Sequence, residues 1–108
     1  TDEAETVTCK VISGLTTEAE DMIKDAKSPA IRDVTLIAAG QQVEHHEIAV
    51  YGTLRSWAEL LNLDNDADVL ESILEEEKNA DQMLSNLSDS INTAAEGSAG
   101  EATSHRAA

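Results

Sequence analysis

The stretch that decides the fold is VEHHEIAV, residues 43–50, in which two glutamates lie three positions apart among aliphatic residues. An α-helix turns by about 100° per residue, so the face on which each side chain lies can be worked out from its position. With Glu44 taken as zero, Ile37 lies at about +20°, Ile48 at about +40° and Glu47 at about −60°. Both glutamates therefore lie within the apolar stripe of the predicted helix.

Working outward from this stretch, KSPA at residues 27–30 marks a helix start. Ser28 is a suitable N-cap, and Pro29 fits the first helical position, where no amide hydrogen is needed. No further proline follows, and the pattern predicts a helix over residues 29–63. An earlier apolar pattern predicts a first helix over residues 6–26.

The third predicted helix covers residues 67–95, after the turn-forming segment NLDNDAD. With Glu77 as zero, Asp81 lies at about +40°, inside the apolar stripe, while Glu75 points away and Glu76 lies at the stripe's edge. Gly97 is the expected helix stop. We therefore expect an all-α domain over residues 1–96 and a flexible tail over residues 97–108.

The composition limits the classes of partner. The chain has 108 residues, with 22 acids against 7 Lys and Arg and a formal net charge of −15. Nucleic acid and anionic membrane are therefore poor partners. The charge indicates a halophilic source or simply an ordinary acidic protein. No apolar run approaches the ~20 residues of a membrane span and no signal peptide is visible, so we expect a cytoplasmic protein. Only 2% of the residues are aromatic, which favours an aliphatic helical core. The one cysteine, Cys9, excludes an internal disulfide and is interpreted as a small, partly buried apolar residue.

Two acids lie on the apolar stripe of each long helix, and the cost of burying their charges must be offset. Burying a carboxylate without a partner costs several kcal/mol, and four together repel one another. If the helices pack antiparallel, the two pairs of acids can meet, and a bound metal ion would offset their repulsion. Carboxylates are suitable ligands for iron and manganese in helical bundles. We therefore predict a metal site whose ligands are Glu44, Glu47, Glu77 and Asp81.

Other interpretations of these residues remain open. An acidic protein places some glutamates on any face, and Glu47 can also pair with Arg55 or extend to solvent. His45 and His46 are interpreted as neighbours of the ligands or as surface residues. Trp57 marks either an interface or a boundary of the core.

The segment RDVTLIAAGQQVEHHEIAVYGTL, with LEEEKNADQML downstream and CKVISGLTTEAEDMI upstream, resembles the YciF-like ferritin-like stress proteins. The VEHHEIAVY core is also similar to the third bundle helix of rubrerythrins, in which two such glutamates bind a di-iron centre. The resemblance implies a ferritin-like antiparallel bundle with Glu44 and Glu47 as ligands. Rubrerythrin-type sites use Glu-x-x-His on the last helix, whereas Ala80 stands here, so Asp81 is the substitute ligand.

The family pattern begins with another helical hairpin that carries the remaining ligands, and this chain starts after it. Either the chain is a fragment, or a second copy completes a four-helix core in a homodimer or larger assembly. The resemblance implies a di-metal site for iron or manganese with a ferroxidase or peroxide-related stress role. The alternative is a structural protein that self-assembles without a functional metal site. Whether the chain is an enzyme stays open.

Overall fold

Three helices form the molecule. The computed structural model describes the backbone of residues 4–107 and the side chains of residues 4–97. The helices are α1 (Lys10–Asp25), α2 (Pro29–Leu60) and α3 (Asp64–Ala107). The predicted all-α fold class is therefore confirmed.

The helices lie side by side in one layer. α2 packs against both α1 and α3, whereas α1 and α3 do not touch within the described part of the chain. The thinnest dimension of the molecule is 14 Å, little more than the diameter of one helix, about 10–12 Å. α2 is therefore the central helix of a layer that is one helix thick.

Side-chain caps fix where the first two helices begin. Ser28 Oγ accepts a hydrogen bond from the Ile31 amide at 3.1 Å, and Pro29 opens α2 as predicted. The predicted start of the first helix at residue 6 is wrong, since α1 begins at Lys10. The cap at Cys9 explains the difference, because its Sγ accepts from the Ile12 amide at 3.5 Å and so satisfies one of the amides that the first turn leaves unpaired.

A tight turn joins α2 to α3. The Asn62 amide donates to the Glu59 carbonyl at 3.1 Å and the Leu63 amide to the Ala58 carbonyl at 2.8 Å, the pair of bonds of a Schellman motif. Asn62 has φ 59°, a left-handed conformation that asparagine tolerates better than most residues. α2 therefore ends at Leu60, three residues before the predicted end at about residue 63.

α3 is longer than predicted at both ends. It begins at Asp64 rather than residue 67, because the Ala67 amide already donates to the Leu63 carbonyl at 2.9 Å. It also passes through Gly97 to Ala107, so the predicted end at residue 95 is wrong. No glycine among the described residues has a positive φ, and Gly97 therefore does not form the expected cap. The mobility of residues 97–108 stays a prediction.

α2 and α3 run antiparallel with close contact at mid-length. A Cβ added at Gly40 would lie 3.1 Å from Leu84 Cδ1, so the absence of a side chain at residue 40 lets this leucine approach the α2 backbone. Next to it, Gln41 Nε2 donates to Ser85 Oγ at 2.9 Å. Nearer the turn, Arg55 donates to Glu71. These pairs fix the register of the two long helices.

The two faces of the layer differ in polarity. On an idealised helix, Leu36 and Leu54 lie at about −80° from Glu44, and Val69 and Leu87 lie at about −80° from Glu77. Because the helices are antiparallel, equal rotations point to the same side of the layer. We call this side the apolar face, and its large exposed residues are Leu36, Val50, Leu54, Trp57, Val69, Met83 and Leu87. The opposite side carries mainly small and polar residues: Ala38, His45, Ser56, Glu71, Lys78 and Gln82.

Candidate metal centre

Three glutamates converge where α2 and α3 cross at mid-length. Glu44 and Glu47 from α2 and Glu77 from α3 each offer a carboxylate oxygen, and these three oxygens lie within 4.8 Å of one another. All three side chains are half-buried. Among the residues whose side chains are described, this is the only such group of His, Cys, Asp or Glu. The spacing of Glu44 and Glu47 on one helical face therefore meets Glu77 across the interface, as the sequence predicts.

The electrostatics of this carboxylate cluster are unfavourable without a counter-ion. The hydrogen bond between Glu47 and Glu77 raises the pKa of Glu47, with burial and the Glu77 charge acting in the same direction. The pKa of Glu77 is also raised, chiefly by its hydrogen bond with Glu44. A raised carboxyl pKa means that the folded chain favours the protonated form, as expected when like charges are brought together.

One oxygen of the cluster lacks any partner. Glu44 Oε2 is buried and makes no hydrogen bond, a state that costs free energy unless some group binds it. An ion bonded to oxygens at about 2.0–2.2 Å holds them at most about 4.4 Å apart. Because the three glutamate oxygens already lie within 4.8 Å, small side-chain movements suffice to bring them onto one ion. Hard, all-oxygen donors of this kind fit iron(II), manganese or magnesium.

Asp81, the fourth predicted ligand, lies outside the cluster. Its Oδ2 lies 3.1 Å from His45 Nε2, and the His45 side chain is 67% exposed while that of Asp81 is 21% exposed. The second oxygen, Asp81 Oδ1, is buried without a hydrogen-bond partner. The structure thus brings Glu44, Glu47 and Glu77 together and places Asp81 one turn further along α3, held by a histidine. That these four residues bind metal stays a prediction.

Arg55, considered above as a partner of Glu47, forms its ion pairs with other glutamates. Arg55 pairs with Glu71 across the helices and lies 3.8 Å from Glu59 on its own helix. The alternative in which Arg55 neutralises Glu47 is therefore wrong, and the cluster contains no arginine or lysine partner among the described side chains. Glu75 and Glu76 are exposed, outside the cluster, as their angular positions predict.

Two contacts near the cluster were not foreseen from the sequence. His46 Nε2 lies 3.7 Å from Cys9 Sγ, which ties the start of α1 to the middle of α2. The choice of Asp81 as the partner of His45 is the second, although a position next to the ligands is one of the two interpretations of His45 given above. Both depend on how neighbouring helices are aligned, and helical periodicity within one segment carries no signal for that alignment.

No helix in the described range 4–107 combines the length and the apolar character that crossing a membrane requires.

Comparisons with known proteins agree with this architecture. Residues 1–96 match the family described as "Domain of unknown function (DUF892)". The chain is 44% identical over 92 residues to protein YciF of Escherichia coli K12, an alignment covering 84% of this chain and 55% of YciF. The crystal structure of the E. coli stress protein YciF superposes with a TM-score of 0.80 at 40% identity, covering 84% of this chain and 57% of that one.

The chain thus spans little more than half the length of the curated relative it matches. Within that span the fold is similar and the identity is high. The match over most of the chain shows that this protein belongs to the DUF892, YciF-like family.

Proposed function

We propose that the chain binds iron or manganese through the carboxylate cluster of Glu44, Glu47 and Glu77. The observation that carries this proposal is the convergence of three half-buried glutamates from two facing helices, with Glu44 Oε2 left unpaired. A cation offsets both the mutual repulsion of the carboxylates and the desolvation of that oxygen. A protein that only needed to pack α2 against α3 would gain by placing apolar residues there.

The roles of the side chains follow from their positions. Glu44 and Glu47 on α2 and Glu77 on α3 converge on one point, so these three side chains would hold the ion from both helices. Asp81 is a fourth ligand only if its side chain moves toward the cluster, and its Oδ1 has no hydrogen-bond partner to give up. Otherwise His45 and Asp81 orient the polar side of the centre, as groups next to metal ligands commonly do.

When bound, iron supplies one-electron chemistry with oxygen or peroxide, and the activities to assay are iron(II) oxidation and peroxide consumption. The protein groups hold the ion, supply negative charge and limit access of water. The relative YciF of E. coli is described as a stress protein, and we propose a related role here.

The test is the variant Glu44→Gln, which keeps the side-chain volume and removes the charge. We expect the iron or manganese content after metal loading to fall to the background level, and the Tm to become insensitive to chelator. Metal retained at the wild-type level would exclude this assignment. The matched control is Glu75→Gln, since Glu75 is exposed outside the cluster and its change should leave both measurements unaltered.

A second candidate function is a helical protein that assembles without metal. The apolar face favours it, because seven large apolar side chains between 37% and 66% exposed lie on one side of the layer. The two functions differ in their response to chelator. An assembling protein without metal keeps its native mass and its Tm in the presence of chelator.

A further inference from the structure

His45 and Asp81 make a polar contact between α2 and α3 beside the carboxylate cluster. His45 Nε2 lies 3.1 Å from Asp81 Oδ2, and His45 follows Glu44 directly in the sequence, so both project from the same turn of α2. The hydrogen-bonded pair Gln41 and Ser85 lies four residues away on each helix. The two pairs share one register of α2 and α3, and this register places Asp81 opposite the turn that carries Glu44.

The two oxygens of the Asp81 carboxylate have different surroundings. Oδ2 faces His45, whereas Oδ1 is buried without a hydrogen-bond partner. Within the described side chains, His45 is the one polar partner of Asp81. A buried, unpaired oxygen costs free energy unless some group binds it, and Glu44 Oε2 on the facing turn is in the same state. Asp81 can therefore present Oδ1 to an ion while Oδ2 keeps its contact with His45.

We infer that His45 is a positioning residue for the metal centre, which holds Asp81 so that Oδ1 stays available to the ion bound by the three glutamates. The inference rests on the proposed metal-binding function, which it deepens by assigning a role to a side chain that binds no metal itself. An ionised carboxylate only accepts hydrogen bonds, so the contact uses the hydrogen on Nε2 of His45. Outer hydrogen bonds of this kind orient the carboxylates that bind metal ions.

Repulsion is the reason why Asp81 needs this contact. Glu77 lies one turn before Asp81 on the same helix, and Glu44 and Glu47 converge on Glu77 from α2. Like charges four residues apart on a helix repel each other, so the cluster pushes the Asp81 carboxylate away from a position in which it could share the ion. The hydrogen bond that His45 donates to Oδ2 opposes this displacement.

The contact also has a purely structural interpretation, in which it only helps α2 to pack on α3. The His45 side chain is 67% exposed, and polar pairs at such positions contribute little to stability. The hydrogen bond of 2.9 Å between Gln41 and Ser85 offers a matched comparison, because it joins the same helices one turn away and involves no acid. A structural contact changes the stability of the metal-free chain, whereas a positioning contact changes the affinity for the ion.

The experiment is isothermal titration of the full chain with Mn²⁺ at constant pH and ionic strength, with circular dichroism to check that each variant keeps its helices. His45→Leu removes the donor and keeps an apolar side chain in its place, and we expect the Mn²⁺ affinity to fall by about tenfold or more. His45→Gln carries an amide hydrogen close to the position of Nε2 and should restore most of the lost affinity. Ser85→Ala breaks the neighbouring pair and should leave the Mn²⁺ affinity unaltered.

A double-mutant cycle tests whether His45 acts through Asp81. In a chain that already carries Asp81→Ala, the further change His45→Leu should leave the Mn²⁺ affinity as it is, because the carboxylate that His45 holds is gone. For the same reason, the loss caused by His45→Leu alone should not exceed the loss caused by Asp81→Ala alone. Urea unfolding of the same variants in EDTA measures any structural contribution of the contact separately.

The outcomes separate the two proposals. An unchanged Mn²⁺ affinity in His45→Leu or in Asp81→Ala, or an equal loss in Ser85→Ala, would overturn the positioning role and leave the metal-binding function standing. A further loss caused by His45→Leu in the Asp81→Ala chain would show that His45 acts on the ion without Asp81, which also overturns the inference. An unaltered chain that binds no Mn²⁺ would overturn the proposed function and this inference with it.

Discussion

Asp81 Oδ2 lies 3.1 Å from His45 Nε2, and this contact separates the fourth predicted ligand from the three glutamates. Asp81 lies outside the group of converging oxygens, so its side chain must move before it can act as a ligand, whereas Glu77 already lies within that group. The four acids are therefore not equivalent, although their positions on the helical stripes are.

We expect Asp81→Asn to reduce manganese or iron affinity less than Glu77→Gln does. Both changes remove one charge and keep the volume, but only Glu77 lies within the group of converging oxygens. Isothermal titration of each variant with Mn²⁺ makes the comparison, and Glu75→Gln provides the baseline for loss of a remote charge. An equal loss of affinity in the two variants would place Asp81 among the direct ligands.

Stability of the metal-free chain should rise as the pH is lowered from neutrality toward 4.5, the ordinary carboxyl value. The pKa of Glu47 and of Glu77 is raised in the folded state, so the folded chain binds more protons than the unfolded chain in this window. The free energy of unfolding therefore decreases as the pH rises through the pKa values of the folded chain. Below the pKa values of the unfolded chain, these two groups no longer make it depend on pH.

Urea unfolding in EDTA at a series of pH values measures this dependence. Glu77→Gln removes the shared hydrogen-bonding and repulsion of the cluster, so its slope with pH should be smaller than that of the parent chain. An identical slope would assign the pH dependence to the overall charge of −15 rather than to the cluster.

Two glycines of α2 should respond differently to alanine. A Cβ at Gly52 meets nothing within 4 Å, so Gly52→Ala should stabilise the helix by about 0.5–1 kcal/mol. A Cβ at Gly40 would lie 3.1 Å from Leu84 Cδ1, and the leucine must shift to admit it. We expect Gly40→Ala to gain less or to destabilise, measured by denaturant midpoints of the two variants. A larger gain at residue 40 would contradict the close approach of α3.

Moderate KCl should raise the Tm of the chain. The formal charge of −15 repels itself in the compact state, and the Debye length shortens from about 30 Å at 0.01 M salt to about 10 Å at 0.1 M. Differential scanning calorimetry over this range makes the measurement, with a second series near pH 4.5 as the control, where fewer carboxylates are ionised. A Tm that falls steadily with KCl at neutral pH would show that self-repulsion does not limit stability.

Helical periodicity was sufficient to predict the three helices and the convergence of Glu44, Glu47 and Glu77. The faces of Glu44, Glu47 and Glu77 depend only on 3.6 residues per turn and on an antiparallel pairing, and both hold here. Helix ends depend instead on single caps such as the thiol of Cys9 or the left-handed Asn62, which many other residues could replace. The partner of Asp81 depends on the alignment of α2 with α3, and that alignment is set by packing at Gly40 and Leu84.

The turn at Asn62 has a consequence for changes in chain length. Glu47 lies 15 residues before Asn62 and Glu77 lies 15 residues after it, so the two acids meet because the helical segments on either side of the turn are equally long. A residue inserted within either segment would rotate the helix beyond it by about 100° and shift it by about 1.5 Å, which would separate the carboxylates while leaving every helix intact. A residue inserted into the turn itself can be accommodated as a longer loop. Relatives and engineered versions that keep this centre are therefore expected to vary in length at residues 61–63 and to conserve the count between the turn and each glutamate.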